Sequence, residues 1–300
     1  MSQTTETQTQ KIISPYGGRG RLIKDFHISE INNIYRDKCD FDIIDFFPNV
    51  EDGSIKLYEC EDTGYKFWHP NNLAGSESFY RSLSQTWPNY YQKTRWEYSY
   101  ALSHIKPTNK VLEIGSGQGW FLSQVERITS SAVGLELNNS AISKKVCSAP
   151  ILNERIEAHV MKGKKYDVVA SFQVLEHIED PKSFILAAIE LLVPGGLLIL
   201  STPNDDFGPH LRFEDAFNFP PHHVGHYNKE VFQKLAEHLN MDVIDIKIQV
   251  APFAFPKFSP STEKKLIFRV FRKMTSIIGR AVLNYTKEPG HTILCVLRKR

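Results

Sequence analysis

Val111-Leu112-Glu113-Ile114-Gly115-Ser116-Gly117-Gln118-Gly119-Trp120 is the stretch on which the reading of this chain turns. A short, mostly apolar strand, Val111–Ile114, ends in three glycines at alternate positions. Trp120 then opens an amphipathic run that reads as a helix to Ile128. Glycine lets the backbone turn tightly and approach a ligand with no Cβ in the way. A glycine triplet alone says little. It gains weight from Glu113, ahead of the first glycine, and from Glu136 in the next apolar run, Val133-Gly134-Leu135-Glu136-Leu137. A carboxylate at the tip of the second strand of a βαβ unit is placed to accept hydrogen bonds from a ribose diol. The two acids point to a nucleoside.

Outward from this turn the rhythm of short apolar runs and amphipathic stretches continues. Strands are expected at Ala132–Leu137, Asp167–Ser171, Gly196–Ser201, Val243–Val250 and His291–Leu297, with helices at Ser140–Cys147 and Pro181–Leu192. Such alternation predicts an α/β fold: a seven-stranded, mostly parallel Rossmann-like sheet with helices on both faces. This domain spans 107–300. Residues 20–106, rich in aromatics such as Tyr58, Phe67, Trp68, Tyr80 and Trp96, read as an N-terminal accessory or lid region. Within it, Ser76–Ile105 has helical spacing broken by Pro88. Residues 1–19 read as a disordered tail.

The composition suits a globular protein, with 41% hydrophobic and 12% aromatic residues among 300. No apolar run has membrane-spanning length, since Ile185–Leu200 is broken by Glu190, Pro194 and two glycines. The polar first ten residues lack the features of a signal peptide, so a cytoplasmic location is expected. Cys39, Cys60, Cys147 and Cys295 show no CxxC spacing and read as free thiols. Net charge is +2, but residues 261–300 carry ten Lys/Arg against two Glu, leaving −6 over the first 260. A globally basic nucleic-acid binder is not indicated. The basic stretch within 261–285 has a helical apolar stripe. It reads as a helix inserted before the last strand, with peripheral contact to an anionic membrane as the alternative.

With these residues in place, the chain resembles the class I S-adenosyl-L-methionine-dependent methyltransferases, whose first motif is an acid followed by G-x-G-x-G. The likeness extends through Tyr166-Asp167-Val168-Val169, Phe172-Gln173-Val174-Leu175-Glu176-His177-Ile178 and Leu192-Val193-Pro194-Gly195-Gly196. It implies S-adenosyl-L-methionine as cofactor, held by Glu113, Gly115, Ser116, Gly117 and Gly119 at the first turn. Glu136 and Leu137 would meet the ribose side, and Phe172, Gln173 and Val174 would line the adenine and methionine ends. Residues 57–67 and Arg95-Trp96-Glu97 resemble a leader of bacterial methyltransferases from surface-polysaccharide and other glycan gene sets. Some of those carry paired cysteines there. This chain has Thr63 where the second would stand, so no zinc is expected.

The loop Pro203–Tyr227 follows a strand whose carboxyl end faces the expected crevice, and it carries Asp205, Asp206, His210, Glu214, Asp215, His222, His223 and His226. Methylation at oxygen needs a base near the acceptor hydroxyl, and an imidazole suits that role. His222 and His223 are the candidates, a structural role being the alternative for each, while His177 reads as structural. Asp205, Asp206 and a histidine match no metal signature, and no metal is expected. The function implied is O-methylation of a small molecule or glycan. Two rivals stay open: an NAD-dependent oxidoreductase, whose fingerprint GxGxxG would need its last glycine one position later, and a noncatalytic nucleoside-binding partner subunit.

Overall fold

The computed structural model describes residues 11–47, 50, 52–86, 93–208, 213–249 and 290–300. Among them, β1 (Gly20–His27) leads straight into α1 (Ile28–Cys39). The imidazole of His27 accepts from the Ser29 N–H, and the Glu30 carboxylate accepts from the His27 N–H, so both orphan donors of the helix start are used. β2 (Ser54–Cys60) and β3 (Lys66–His69) follow, then α2 (Glu77–Thr86) and α3 (Trp96–Leu102).

At β4 (Val111–Ile114) the chain enters the larger sheet. α4 (Leu122–Val125), β5 (Ala132–Leu135), α5 (Asn139–Ile142), β6 (Ile151–Leu152), α6 (Ile156–Val160), β7 (Tyr166–Phe172), α7 (Pro181–Glu190) and β8 (Leu192–Pro203) come next. The two-residue β9 (Gly225–His226), α8 (Lys229–His238), β10 (Met241–Ile248) and β11 (Thr292–Lys299) complete the order. Two sheets result. One is antiparallel, in the order β1-β2-β3-β9; the other has seven strands, β10-β11-β8-β7-β4-β5-β6, of which only β11 runs against the rest. The mostly parallel seven-stranded Rossmann-like sheet expected from the sequence is present.

β8 is buried on both faces, as a central strand covered by helices must be. Leu198 and Leu200 pack in one cluster with Phe184 and Leu191, and Ile199 packs in the other with Phe121, Val168 and Leu294. α7 begins where proline is pre-organised for a first turn: Asp180 caps the Ser183 N–H and Pro181 follows it. A third cluster belongs to the accessory sheet. It joins Phe26, Tyr35 and Trp68 to Phe219 of the loop after β8, and the Tyr35 hydroxyl donates to the Phe219 carbonyl.

Several expectations shift. The helix over Ser140–Cys147 is confined to Asn139–Ile142, because the Val146 N–H turns away to the Gln118 carbonyl. The helix from Trp120 shortens to Leu122–Val125. The seventh strand, β6, lies between Pro150 and Asn153, too short for a periodicity to show. Residues 11–19, assigned to the tail, lie against the fold, with Ile12 and Tyr16 packed on the core and a bridge from Ile13 to Arg19. His210 and the basic stretch within 261–285, with its expected inserted helix and the alternative of a membrane contact, lie outside the described residues.

Truncating Leu200, 1% exposed at the middle of β8, removes contacts the sheet cannot close over. Leu200→Ala should cost about 2–5 kcal/mol, read from the midpoint of denaturant unfolding.

Candidate active site

The carboxyl ends of β4, β5 and β7 open on a cleft of about 1200 Å³. β4 is the first strand of the sheet, with β5 on one side and β7 on the other, so the crevice sits where an open α/β sheet binds ligands. Gly115, Gly117 and Gly119 all have positive φ, at 73°, 54° and 81°. A Cβ on Gly115 would fall 2.4 Å from Val174 Cγ2, and one on Gly119 would fall 2.5 Å from Cys147 Sγ. The turn demands glycine both for its backbone and for its room.

Glu136 anchors this turn. Its Oε2 accepts from the Gly117 N–H at 2.8 Å, and its Oε1 accepts from the N–H groups of Leu137 and Asn138 at 2.8 and 2.7 Å. A carboxylate has about four acceptor positions, so a ribose diol donating twice displaces at least one amide. Glu113 is the opposite case. It is 2% exposed and its Oε2 has no hydrogen-bond partner among the described residues. Burial and then the nearby Glu136 hold its pKa well above the usual carboxylate range, with Arg95 acting the other way. The Ser116 hydroxyl is likewise buried and unpartnered. An unpaired carboxylate oxygen and an unpaired hydroxyl at the floor of a cleft are groups waiting for polar ligand atoms.

The residues expected after β7 divide. Gln173 and Val174 line the cleft, and Gln173 holds φ at +55°, an uncommon conformation for a side chain of its size. Phe172 also borders the cleft, while its ring packs between Tyr98 and Phe121 at centroid distances of 5.1 and 4.7 Å. Leu137 sits at the mouth, 53% exposed.

The opposite wall comes from the accessory region and the loop after β8. Tyr80, Arg95 and Glu97 meet His222 and His223 there, together with Glu176 and His177 from the turn after β7. His222 and His223 are 6% and 7% exposed, and burial pushes both imidazoles well below their ordinary pKa. His177 is lowered to about 4 for the same reason. At neutral pH the three rings are uncharged. Burial raises Glu176 to about 8, and neither of its oxygens has a hydrogen-bond partner among the described residues.

Of the acids in the same loop, Asp205 and Asp206 are paired away from this wall, and Asp215 lines the cleft. Asp205 accepts from Lys66 and lies 3.7 Å from His226 Nδ1. Asp206 accepts from Asn228, and Asp215 accepts from the Phe217 N–H. Sequence reasoning missed Glu176 and the contributions of Tyr80 and Glu97. The Glu176-His177 pair at the end of an apolar strand was the one signal at hand.

The profile of a methyltransferase-domain family matches residues 89–246, and the chain belongs to that family. S-adenosyl-L-methionine is the cofactor that accompanies the family and its fold. Over 102 residues the chain is 33% identical to ubiquinone biosynthesis O-methyltransferase from Cereibacter sphaeroides, covering 32% of this chain and 41% of that protein. The chain spans between about two-fifths and a little over half of the length of curated relatives it matches. In fold it is similar to a SAM-dependent methyltransferase from Archaeoglobus fulgidus (TM-score 0.50, 18% identity, 74% of this chain and 100% of that one). It is also similar to the plantazolicin methyltransferase BpumL in complex with SAH (TM-score 0.50, 21% identity, 75% and 91%).

Two outcomes follow from the acids. Glu136→Ala removes the acceptor of three amides, so calorimetry should show S-adenosylhomocysteine binding at least about tenfold weaker, given roughly 1.4 kcal/mol per lost charged hydrogen bond. Glu113 has a folded-state pKa above its ordinary 4.5, so its full contribution to stability is present below that pH and is lost as pH rises. Glu113→Gln does not ionise. Its advantage over the wild type in ligand-free unfolding midpoints should grow as pH rises above about 4.5, and a gap constant in pH would refute the assignment.

Proposed function

We propose that this chain transfers the methyl group of S-adenosyl-L-methionine to a hydroxyl oxygen of a small-molecule or glycan acceptor. One observation carries the reading: the nucleoside cradle at the glycine turn and a wall of neutral imidazoles face each other across one cleft. The cradle fits the cofactor on its own geometry. Glu113 Oε2 is an unpaired anion-capable atom of the kind that receives an ammonium, and Glu136 stands at the strand tip where a ribose is held. Gly115 and Gly119 leave space that a Cβ would fill, and Val174 bounds it.

When bound, the cofactor supplies an electrophilic methyl: the acceptor oxygen forms the C–O bond, the S–C bond breaks with its electron pair going to sulfur, and the hydroxyl proton leaves. The protein's part is to hold the oxygen in line, exclude water and receive that proton. His222 and His223 line the same cleft as neutral imidazoles, each with a lone pair able to take the hydroxyl proton as the positive charge leaves the sulfur. Tyr80 and Trp96, which also line the cleft, offer rings for a planar or sugar acceptor to stack on.

The test is methyl transfer from labelled donor to a panel of phenols, catechols and sugars. His223→Ala should lower kcat on the best acceptor by about 10²–10⁴-fold, the scale of general acid–base catalysis, while calorimetric binding of S-adenosylhomocysteine persists. Binding of NAD in place of S-adenosyl-L-methionine would overturn the proposal.

A further inference from the structure

The three histidines of that wall belong together in a more specific way. His177 follows β7 in a 3₁₀ turn at Leu175–His177, and His222 and His223 follow a second such turn at Ala216–Asn218, so two separate loops deliver the rings to one point. One ligand-capable atom from each lies within 4.8 Å of the others. The rings pack in contact, with centroids 4.8 Å apart for His177 and His222, 5.0 Å for His177 and His223 and 4.3 Å for His222 and His223.

Their tautomers follow from their neighbours. His177 Nδ1 lies 2.5 Å from the His222 carbonyl oxygen and His222 Nδ1 lies 3.3 Å from the Phe217 carbonyl oxygen. A carbonyl only accepts, so each Nδ1 carries the proton and each Nε2 carries the lone pair. This is the arrangement of metal-ligating histidines, whose second ring nitrogen donates to a carbonyl or carboxylate that fixes the ring. Neither ring nitrogen of His223 has a hydrogen-bond partner among the described residues. Beside the cluster, Glu176 Oε1 stands 3.8 Å from His177 Nε2, in a side chain 2% exposed whose two oxygens have no hydrogen-bond partner among the described residues. A buried carboxyl group in that state calls for a missing ion or water.

We propose that His177, His222 and His223 form a binding site for one divalent transition-metal ion of the zinc type, with a fourth position open to the cleft. Three imidazoles favour zinc, cobalt or nickel over magnesium or calcium, which take oxygen ligands. Metal–nitrogen bonds of about 2.0–2.1 Å place tetrahedral ligand nitrogens roughly 3.4 Å apart, so small ring rotations close the cluster on an ion. Three histidines with an open position constitute a catalytic geometry, able to lower the pKa of a hydroxyl that enters as the fourth ligand, so that its proton passes to solvent and the imidazoles hold the ion in place of accepting the proton themselves. The site therefore rests on the reading of the cleft as an O-methyltransferase and narrows its acceptors to those presenting a hydroxyl to the ion. The sequence alone hid it, because forty-five positions separate His177 from His222.

The test uses untagged full-length protein, stripped with a chelator and titrated with Zn²⁺ in a calorimeter and with Co²⁺ by visible absorption. Saturation at one ion per chain is expected, with the intense bands of tetrahedral Co²⁺. His177→Ala and His223→Ala should each weaken binding by at least about tenfold. S-adenosylhomocysteine binding in the same samples reports that each variant is folded; should an alanine variant lose it, the asparagine variant at that position takes its place. Absence of binding, an octahedral Co²⁺ spectrum, or affinity unchanged in both variants would overturn the site while leaving the methyltransferase reading intact. Metal bound to these residues in a protein that ignores S-adenosylhomocysteine would overturn that reading and keep the site.

Discussion

Three backbone N–H groups converge on the Glu136 carboxylate, and the shape of the cleft depends on that convergence. The bond from Gly117 ties the turn after β4 to the tip of β5; those from Leu137 and Asn138 fix the carboxylate itself. Asn138 in turn caps α5, accepting from Ser140 and Ala141. The parallel register of β4 and β5, Val111 against Ala132 through Ile114 against Leu135, brings the two strand ends level, so that one side chain reaches both. Glycine is required on the other side of the bond. With φ positive at three alternate positions, a side chain on this turn would strain the backbone, and at Gly115 and Gly119 it would also strike Val174 or Cys147.

The second sheet turns the open crevice into a cleft with two walls. β9 is only two residues long, yet it pairs with β3 and carries the loop after β8 into the accessory sheet. The Trp68 indole N–H donates to His226 Nε2, and Trp68 packs on Phe219 at 5.5 Å. The described part of that loop from Phe213 onward is thereby held by the same aromatic core that holds α1. Accessory region and β8 loop form one unit, and His222 and His223 keep their places because the residues on both sides of them, Phe219 and His226, are held by β3.

How much of this the sequence discloses depends on the range of the interaction involved. β4, β7 and β8 are legible because continuous apolar runs announce strands buried on both faces. The glycine turn is legible because alternating glycines and flanking acids are a local pattern. β6 is not, since two residues between Pro150 and Asn153 carry no period. β9 is equally silent: Gly225 and His226 become a strand only because β3 offers an edge. At the site, Gln173 and Val174 follow from their place after a strand. Phe172, adjacent to them, belongs mainly to the core because alternation turns its ring inward. The wall built by the accessory region and the loop after β8 is the least legible part. Tyr80, Glu97, His177 and His222 come from four segments, and no spacing in the chain links them.

The electrostatics of the cleft explain why so costly an arrangement persists. Glu97, Glu113 and Glu176 are all buried, all have raised pKa values, and all feel the positive charge of Arg95, which is one cation among three acids. An isolated protein relieves this by keeping carboxyl groups protonated, at the expense of hydrogen-bond capacity left unused on Glu113 and Glu176. A cationic group entering the cleft reverses the balance, because an opposite charge within a few ångströms favours the ionised acid. The unpaired oxygens then gain partners, and binding and proton release become coupled. Groups that weaken the empty fold are thus ones that an incoming positive charge would stabilise.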